Sequence, residues 1–427
     1  EGVNGQLGPA DRLTRLDVLT INMQWDLDDV KTAVNVTERA NFEAMGAEEL
    51  SLWVQERSHC SSVVKLLPDG SELFAGHNTW FGFHMMLRVF KRYEFGALKP
   101  VAMSSYPGVL SSMDDFYQVG HLAVMETTLP SYNNDLLARV KPETLPYWIR
   151  AMAANQLATN GSAWMEVFRQ HNSGTYNNMW MVVDYSRFTP GQPLPQGVLT
   201  VGEQVPGYFH WEDQTQVLSY GYWPSYNVAV YPKTAQLVGQ DATVKRLGTD
   251  FSHELAPRAQ VFRRDQTTVS SDEDMQRLMR YNKFQSDPLA RGQPCNQLAC
   301  RADLAKMPKA FGAIDAKYTS YAHNRADRVV VISGPTHDDQ PIFDWSAVPR
   351  LASATSHLGQ PQSFGFGWVV MGPSGEAAPW HSSDSAAAGG SMAAALALGI
   401  TGIGLMAGMV AGKLRRSTST VPEEAST

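Results

Sequence analysis

The chain has 427 residues, 43% of them hydrophobic, and carries a formal net charge of −7 at pH 7. This length suits two ordinary domains or one large domain, and the apolar content is enough for a sizeable buried core. No run of lysine or arginine precedes the C-terminal tail, so the sequence lacks the basic surface that nucleic-acid binding requires. We therefore exclude nucleic acid as a predicted partner.

After a region of helical character at residues 30–55, the sequence predicts a β-hairpin. Residues 60–67 are short, β-branched and apolar, as expected of a strand. Pro68-Asp69-Gly70 is a typical turn sequence, because proline presets φ and glycine accepts a positive φ. Residues 71–77 then predict the return strand.

The hairpin brings a thiol close to an imidazole. Antiparallel pairing about Asp69 places Cys60 roughly opposite Asn78 and beside His77. A cysteine next to a potential base is the minimum for a thiol nucleophile. The alternative is a buried core residue, which is the commoner role of a cysteine that opens an apolar strand.

The remaining elements predict an α+β layered domain. Strands, then helices, then strands follow one another without βαβ alternation. The predicted elements are a segment with apolar residues at helical spacing at 81–93, two or three strands in 101–128, a pair of helices in 143–170, strands at 180–184, 197–204 and 216–231, and a helix at 272–281.

The three cysteines divide into a pair and a single thiol. Cys295 and Cys300 are close enough to form a local disulfide, which leaves Cys60 unpaired. Zinc is the alternative for the pair, but no second Cys/His pair at ligand spacing lies nearby. The sequons at Asn35 and Asn160 allow N-glycosylation and, like the disulfide, favour an oxidising compartment. In such a compartment an unpaired cysteine calls for an explanation.

A polar loop near the end of the core offers a further candidate site. It contains His337, Asp338 and Asp339, which are residue types that bind metals. Adjacent residues on a loop rarely converge on one ion, so we interpret them as structural. The sequence predicts no metal and no cofactor.

The C-terminal region predicts a membrane anchor. Residues 373–385 form a linker of small and polar residues, and 386–412 are uncharged and long enough to cross a bilayer. This stretch is mostly alanine and glycine, so a low-complexity linker is the alternative. The basic residues that follow would place the tail, 413–427, on the cytoplasmic side. Three glycines share one face at the spacing of a helix dimer: Gly404, Gly408 and Gly412.

Residues 172–185, Asn-Ser-Gly-Thr-Tyr-Asn-Asn-Met-Trp-Met-Val-Val-Asp-Tyr, resemble the signature of the phospholipase B-like family. Similar matches extend in order from about Cys60 to Trp368. They comprise the hairpin and residues 104–108, 199–207, 252–265 and 334–338.

This resemblance implies an N-terminal nucleophile hydrolase fold, an αββα sandwich. It also implies that the precursor cuts itself before a cysteine that matches Cys60, so the expected scissile bond is His59–Cys60. Residues 1–59 would then be released or nicked from a hydrolase core of residues 60–372. The freed α-amine of Cys60, with an ordinary pKa of roughly 7.7–8.0, can act as the base for its own thiol.

The resemblance assigns four further residues to the active site. His77 and Trp80 would line it, Asn227 would donate a hydrogen bond to the tetrahedral oxyanion, and Arg258 would hold the thiolate and substrate charge. The implied activity is removal of acyl chains from glycerophospholipids through an acyl-thioester, in a lysosomal or extracellular location. Hydrolysis of N-acyl amides and a processed lumenal binding protein without catalysis stay open as alternatives.

Overall fold

The computed structural model describes residues 2–57, 60–373 and 377–380. Its strands are β1 (Ser61–Leu66), β2 (Leu73–Asn78), β3 (Trp80–Gly82), β4 (Val89–Tyr93), β5 (Val101–Ser105), β6 (Phe116–Val119), β7 (Leu122–Thr128), β8 (Asn178–Asp184), β9 (Leu199–Val205), β10 (Tyr208–Asp213), β11 (Tyr222–Ser225), β12 (Phe311–Ala313), β13 (Asp315–Ser320), β14 (Val329–Ser333), β15 (Val369–Met371) and β16 (Ala377–Pro379).

The α-helices are mostly short and connect or cover the strands. They are α1 (Gly2–Gln6), α2 (Arg15–Asn22), α3 (Gln24–Val34), α4 (Ala47–Arg57), α5 (Tyr147–Leu157), α6 (Gly161–Phe168), α7 (Thr215–Leu218), α8 (Pro232–Val238), α9 (Gln240–Leu247), α10 (Pro257–Asp265), α11 (Asp272–Met279), α12 (Tyr321–Arg325) and α13 (Pro349–Ala354).

The strands form two large antiparallel sheets. The first has the order β11-β1-β2-β13-β14-β15-β16, the second has the order β10-β9-β8-β7-β6-β5-β4, and β12 pairs with β3 in a small ribbon. The predicted hairpin is confirmed as β1–β2, and its turn is closed by the Gly70 N–H, which donates to the Leu67 carbonyl at 2.9 Å. Gly70 has φ +69°, the left-handed conformation that glycine accepts without steric cost.

Alternation along the strands produces four layers. Val64 of β1 packs between the two sheets with Met125 and Met181. Its neighbour Val63 points to the other face of the sheet and packs with Val261 of α10 and, on α11, Met275. Successive side chains of a strand alternate between faces, so one sheet buries two cores.

The second sheet is covered in the same way by the helical pair. Trp180 of β8 packs with Trp164 of α6 and Ala151 of α5 on the face opposite the inter-sheet core. Asn160 begins α6 as its N-cap, and its side chain accepts a hydrogen bond from the Ala163 N–H at 2.9 Å. The order of layers is therefore helix, sheet, sheet, helix.

Helix α3, in the segment before Cys60, packs against the loop that precedes β8. The Asp26 carboxylate accepts hydrogen bonds from the Thr175 hydroxyl at 2.5 Å and from the Tyr147 N–H at 3.2 Å. Trp25 stacks on Tyr176 with ring centroids 5.8 Å apart. These contacts hold α3 on the core. The boundary between residues 1–59 and 60–372 stays a prediction.

The helix suggested by the spacing of residues 81–93 is not formed. This segment contains β3, a short 3₁₀ turn at Phe83–Met85 and β4. Strand β4 pairs with β5 along its length, from Val89 opposite Ser105 to Tyr93 opposite Val101. Pairing with a neighbouring strand outweighed the local helical pattern, which is weak over so short a segment.

The predicted fold class needs one correction, because the C-terminal transmembrane helix that it included is not supported. Among the residues that the structure describes, no helix is long and apolar enough to cross a membrane. The predicted span at 386–412, its glycines Gly404, Gly408 and Gly412 and the tail 413–427 lie outside those residues. The physical weakness of the prediction is composition, because alanine and glycine contribute little hydropathy.

Candidate active site

Cys60 lies immediately before β1 and is completely buried. Its backbone has φ +86°, in the left-handed region that a residue with a side chain seldom occupies. Strained residues of this kind are concentrated at functional sites. The next residue, Ser61, pairs with Asn78 and donates its N–H to the Asn78 side chain at 3.0 Å. The register therefore lies one residue from the predicted pairing of Cys60 with Asn78.

Three buried side chains meet at the open end of the hairpin. The Cys60 sulfur, a ring nitrogen of His77 and a carboxylate oxygen of Glu126 all lie within 4.8 Å of one another. We call Cys60, His77 and Glu126 the nucleophile cluster. The predicted proximity of Cys60 and His77 is therefore present, and the second sheet adds a carboxyl group from β7.

Hydrogen bonding defines the tautomer of His77. Its Nε2 atom is 2.9 Å from the backbone oxygen of Glu126, which can only accept, so Nε2 carries the proton. Its buried Nδ1 atom has no hydrogen-bond partner within the described structure. Burial and the neighbouring Lys317 lower the pKa of His77 to about 3. The ring is thus neutral, with a lone pair on Nδ1 that can accept a hydrogen bond.

The surroundings keep the thiol of Cys60 protonated at rest. Burial raises its pKa, and the Glu126 carboxyl group raises it further. Lys317 and a hydrogen bond from the Trp80 backbone act in the opposite direction and lower the pKa. Because only the thiolate is a strong nucleophile, this cysteine needs a base to become reactive.

Arg258 connects the predicted site residues. It lies in the first turn of α10, where its guanidinium donates to the Cys60 carbonyl at 2.8 Å and to the Asn227 side-chain oxygen at 2.6 Å. It also donates to the Tyr226 carbonyl at 2.8 Å and lies over the Trp80 ring, 4.4 Å from the centroid. Burial lowers the pKa of Arg258 to about 9, so the side chain remains a cation at neutral pH.

Asn227 and Trp80 complete this arrangement. Asn227 is buried with φ +68°, and its Nδ2 donates to the Thr128 carbonyl at 2.7 Å. Trp80 is buried, and its indole N–H donates to the Leu298 carbonyl at 3.1 Å. The structure thus brings together Cys60, His77, Trp80, Asn227 and Arg258.

A cavity of about 100 Å³ lies beside the site. Trp80, Asn227 and Arg258 form part of its wall, and helix α4 forms another part through Ser51 and Val54. This helix belongs to the segment that precedes Cys60. The two residues that join them, Ser58 and the predicted cleavage residue His59, lie outside the described structure.

Sequence reasoning missed a buried ion cluster behind the nucleophile. Lys317 is paired with His77 across β13 and β2. Its ammonium group contacts Asp315 at 2.9 Å and Asp114 at 3.0 Å, and Arg88 pairs with both carboxylates. A signal was present, since Lys317 interrupts a buried strand, as Glu126 does in β7, and charged residues are seldom buried without partners.

The other predicted residues do not belong to the nucleophile cluster. Cys295 and Cys300 are joined by a disulfide, and Cys295 lines the cavity beside the site. Asn35 and Asn160 are half-buried residues that cap helical turns, and their glycosylation stays a prediction. His337 and Asp338 contact Arg280 and do not form a metal-binding group with Asp339 in the described part of the chain.

Several known proteins are similar to this chain in sequence. The sequence model of the phospholipase B family matches residues 3–371. Over 377 residues the chain is 40% identical to Phospholipase B-like protein D of Dictyostelium discoideum, covering 84% of this chain and 66% of that protein. It is 36% identical to Phospholipase B-like 1 of Bos taurus over 370 residues, with 84% and 66% covered.

The human relative gives the same result. Phospholipase B-like 1 of Homo sapiens is 36% identical over 379 residues, which are 84% of this chain and 65% of that protein. The chain thus spans just under two thirds of the length of these relatives. Because the family model matches most of its residues, this chain belongs to the phospholipase B family.

Proposed function

We propose that this chain is a self-processing thiol hydrolase that removes acyl chains from glycerophospholipids through an acyl-thioester on Cys60. The observation that carries the proposal is the position of Cys60, which is buried with a left-handed backbone and lies next to a neutral histidine. Its carbonyl is held by Arg258 at 2.8 Å. Membership of the phospholipase B family supports the choice of substrate.

His77 relays the thiol proton in the self-cleavage step, because a ring with a pKa of about 3 does not retain that proton. The uncut chain has no α-amine at Cys60, so another group must take the thiol proton. The proton passes by way of His77 to the departing nitrogen of Cys60 while the sulfur attacks the carbonyl carbon of the preceding residue. The C–N bond breaks as the nitrogen of Cys60 gains a proton. One water then hydrolyses the thioester and leaves a free carboxyl group and a free N-terminal Cys60.

The mature enzyme uses the new α-amine as its base. The amine takes the thiol proton, and the sulfur attacks the ester carbonyl of the lipid. Asn227 donates a hydrogen bond to the oxyanion. Arg258 fixes the positions of Asn227 and Cys60 through its hydrogen bonds to both. The lysolipid alcohol leaves with a proton, and water releases the fatty acid from the thioester.

Helix α4 covers the site in the uncut chain. The cavity of about 100 Å³ is too small for an acyl chain, because ligand pockets usually measure about 300–1,000 Å³. Displacement of α4 after the cut next to it widens the cavity. The disulfide and the two sequons support a lumenal or extracellular location for this reaction.

The test begins with the N-terminus of the purified protein. We expect a new terminus that starts Cys-Ser-Ser-Val in the wild type and an uncut chain in Cys60→Ala. The matched control is Ser353→Ala, an exposed change far from the cluster in sequence, which should be cut as the wild type is. An uncut wild-type chain would overturn the proposal and favour a binding protein.

Substrate class is measured on the cut protein. Vesicles of diacyl phosphatidylcholine and micelles of an N-acyl amide of the same chain length are compared at equal acyl concentration. Release of fatty acid from the phospholipid supports the proposal. Faster release from the amide would assign the enzyme to the amidases. Release from neither substrate would favour the alternative of a binding protein without catalysis.

A further inference from the structure

We propose that the nucleophile cluster is also a Zn²⁺ site, and that the bound ion inhibits the enzyme by occupying the sulfur of Cys60. The sequence predicted no metal, since its two candidates were the Cys295–Cys300 pair and the loop at His337. The inhibitory consequence rests on the proposed function of Cys60. The binding site itself rests on geometry.

The distances suit a single small ion. The ligand atoms of Cys60, His77 and Glu126 lie within 4.8 Å of one another. A point therefore exists that is no more than about 2.8 Å from all three, since 4.8 Å divided by √3 is about 2.8 Å. Zinc binds sulfur at about 2.3 Å and nitrogen or oxygen at about 2.0–2.2 Å. Each ligand needs to move by less than about 1 Å to reach these distances.

Two of the ligand groups have unused atoms that are buried. His77 Nδ1 and the Oε2 atom of Glu126 have no hydrogen-bond partner within the described structure. The other polar atom of each side chain is held, His77 Nε2 by the Glu126 carbonyl and Glu126 Oε1 by the Tyr176 hydroxyl at 2.8 Å. Such outer contacts orient the ligands of metal sites.

Charge also favours a divalent ion. A thiolate, a carboxylate and Zn²⁺ sum to zero, which suits a buried site. The adjacent ion cluster is already balanced, because Arg88 and Lys317 are matched by Asp114 and Asp315. Thiolate and imidazole ligands select zinc over magnesium or calcium, which prefer oxygen. Binding releases to solvent the thiol proton and the proton of Glu126, whose pKa burial raises.

Self-cleavage adds a fourth ligand. A cysteine at a new N-terminus binds a metal through both its sulfur and its α-amine nitrogen. With His77 and Glu126 this gives the four ligands of a tetrahedral zinc site. The cut protein is therefore expected to bind zinc at least ten-fold more tightly than the uncut chain.

Cobalt(II) reports on this site directly. Purified protein, identified as cut or uncut by its mass, is titrated with Co²⁺ and then with Zn²⁺ as a competitor. We expect a thiolate-to-cobalt charge-transfer absorption in the wild type and none in Cys60→Ala. His77→Gln and Glu126→Gln should each weaken binding at least ten-fold, whereas His121→Ala, which changes an exposed histidine, should not.

The result is independent of the hydrolase proposal. A charge-transfer band in protein that neither cuts itself nor releases fatty acid would support the metal site and contradict the proposed function. Absence of the band in folded wild-type protein would overturn the metal site even if the enzyme is active. If the band appears, Zn²⁺ should inhibit fatty-acid release at the concentration at which it displaces Co²⁺, and uninhibited release would contradict the regulatory role.

Discussion

Two buried polar clusters in this molecule contain similar residue types and differ in how completely their hydrogen bonds are made. In the first, the nucleophile cluster, buried atoms of His77 and Glu126 have no partner in the described structure. The second, which we call the Arg280 cluster, contains Arg280, Thr336, His337 and Asp338. Native structures rarely leave buried polar groups unpaired, so the difference is informative.

Every nitrogen of the Arg280 guanidinium donates to a neighbour. Its Nε donates to Asp338 at 2.9 Å, its Nη1 to the Gly334 carbonyl at 3.1 Å, and its Nη2 to the Pro335 carbonyl at 3.1 Å and to His337 Nδ1 at 2.9 Å. Such a network stabilises one loop conformation and leaves no guanidinium nitrogen without a partner. The nucleophile cluster, by contrast, keeps atoms unpaired that chemistry can use. If this distinction separates function from stability, changes in the two clusters should affect different properties of the protein.

The largest effect is expected for His77→Gln. Glutamine fills a similar volume but has no ring nitrogen to relay the thiol proton, so self-cleavage should slow by up to about 10²–10⁴-fold, the range of proton-transfer catalysis. Stability should change little, because Nδ1 makes no hydrogen bond and the glutamine amide can replace Nε2 as the donor to the Glu126 carbonyl. Pulse–chase labelling of the two fragments measures the rate. Cleavage at the wild-type rate would exclude His77 from the proton transfer.

The matched change in the other cluster is His337→Gln. It removes a partner of Arg280 and should lower the free energy of unfolding by about 1 kcal/mol while self-cleavage proceeds at the wild-type rate. A slowed cleavage in this variant would mean that the two clusters are coupled, and it would contradict the assignment of the Arg280 cluster to stability alone.

Arg280→Met should produce the largest loss of stability. It leaves the carbonyls of Gly334 and Pro335 without donors and Asp338 without its cation. Because Asp338 is one-third exposed, we expect a loss of about 3 kcal/mol, at the lower end for a broken buried pair. Urea unfolding measures the loss, with the exposed Arg350→Met as control. Lost activity in fully folded protein would contradict a purely structural role.

Asn227→Ala should lower kcat by about 10²–10³-fold with little change in KM, as removal of an oxyanion donor does. The backbone at this position has φ +68°, so alanine also costs about 1 kcal/mol of stability. Asn227→Gly removes the same donor without that strain. If the glycine variant recovers wild-type kcat, the loss in the alanine variant came from backbone strain and Asn227 is not an oxyanion donor.

The hairpin could be predicted from sequence because its causes are local. The turn at residues 68–70 and the apolar strand before it lie within a dozen residues, and they placed Cys60 near His77 with an error of one register position. Glu126 could not be predicted to join them, since it reaches His77 across 49 residues from the other sheet. Arg258 is 198 residues from Cys60 and was found through the family resemblance alone.

Local patterns failed where tertiary pairing decides the outcome. The spacing of residues 81–93 indicated a helix, but β4 is held at the edge of the second sheet by β5. The C-terminal stretch had the length of a membrane span without strongly apolar residues. Lys317 and Glu126 were visible as charges in apolar strands, and their partners are set by which strands become neighbours.

Glu203 provides the smallest and most selective test, because it is a buried carboxyl group that stabilises the loop carrying Asn227. It accepts hydrogen bonds from the N–H groups of Val230 at 2.6 Å and Tyr231 at 3.3 Å. Burial raises its pKa from an ordinary value of 4.5 to about 7. A raised carboxyl pKa means that the folded state favours the protonated form. Its contribution to stability is therefore complete below pH 4.5 and is lost as the pH rises to 7.

Glu203→Gln should remove this pH dependence, because glutamine stays neutral. Relative to the variant, the wild type should lose at most about 3 kcal/mol of unfolding free energy between pH 4.5 and 7. Any hydrogen bond weakened by the amide shifts the variant's curve by a constant and leaves its slope unaffected. Urea unfolding at several pH values measures the difference, and the exposed Glu143→Gln should show none. If the two curves stay parallel, folding does not raise the pKa of Glu203. The hydrogen bonds that it accepts from the loop carrying Asn227 would then be as favourable to the ionised carboxylate as those of the Arg280 cluster are to Asp338.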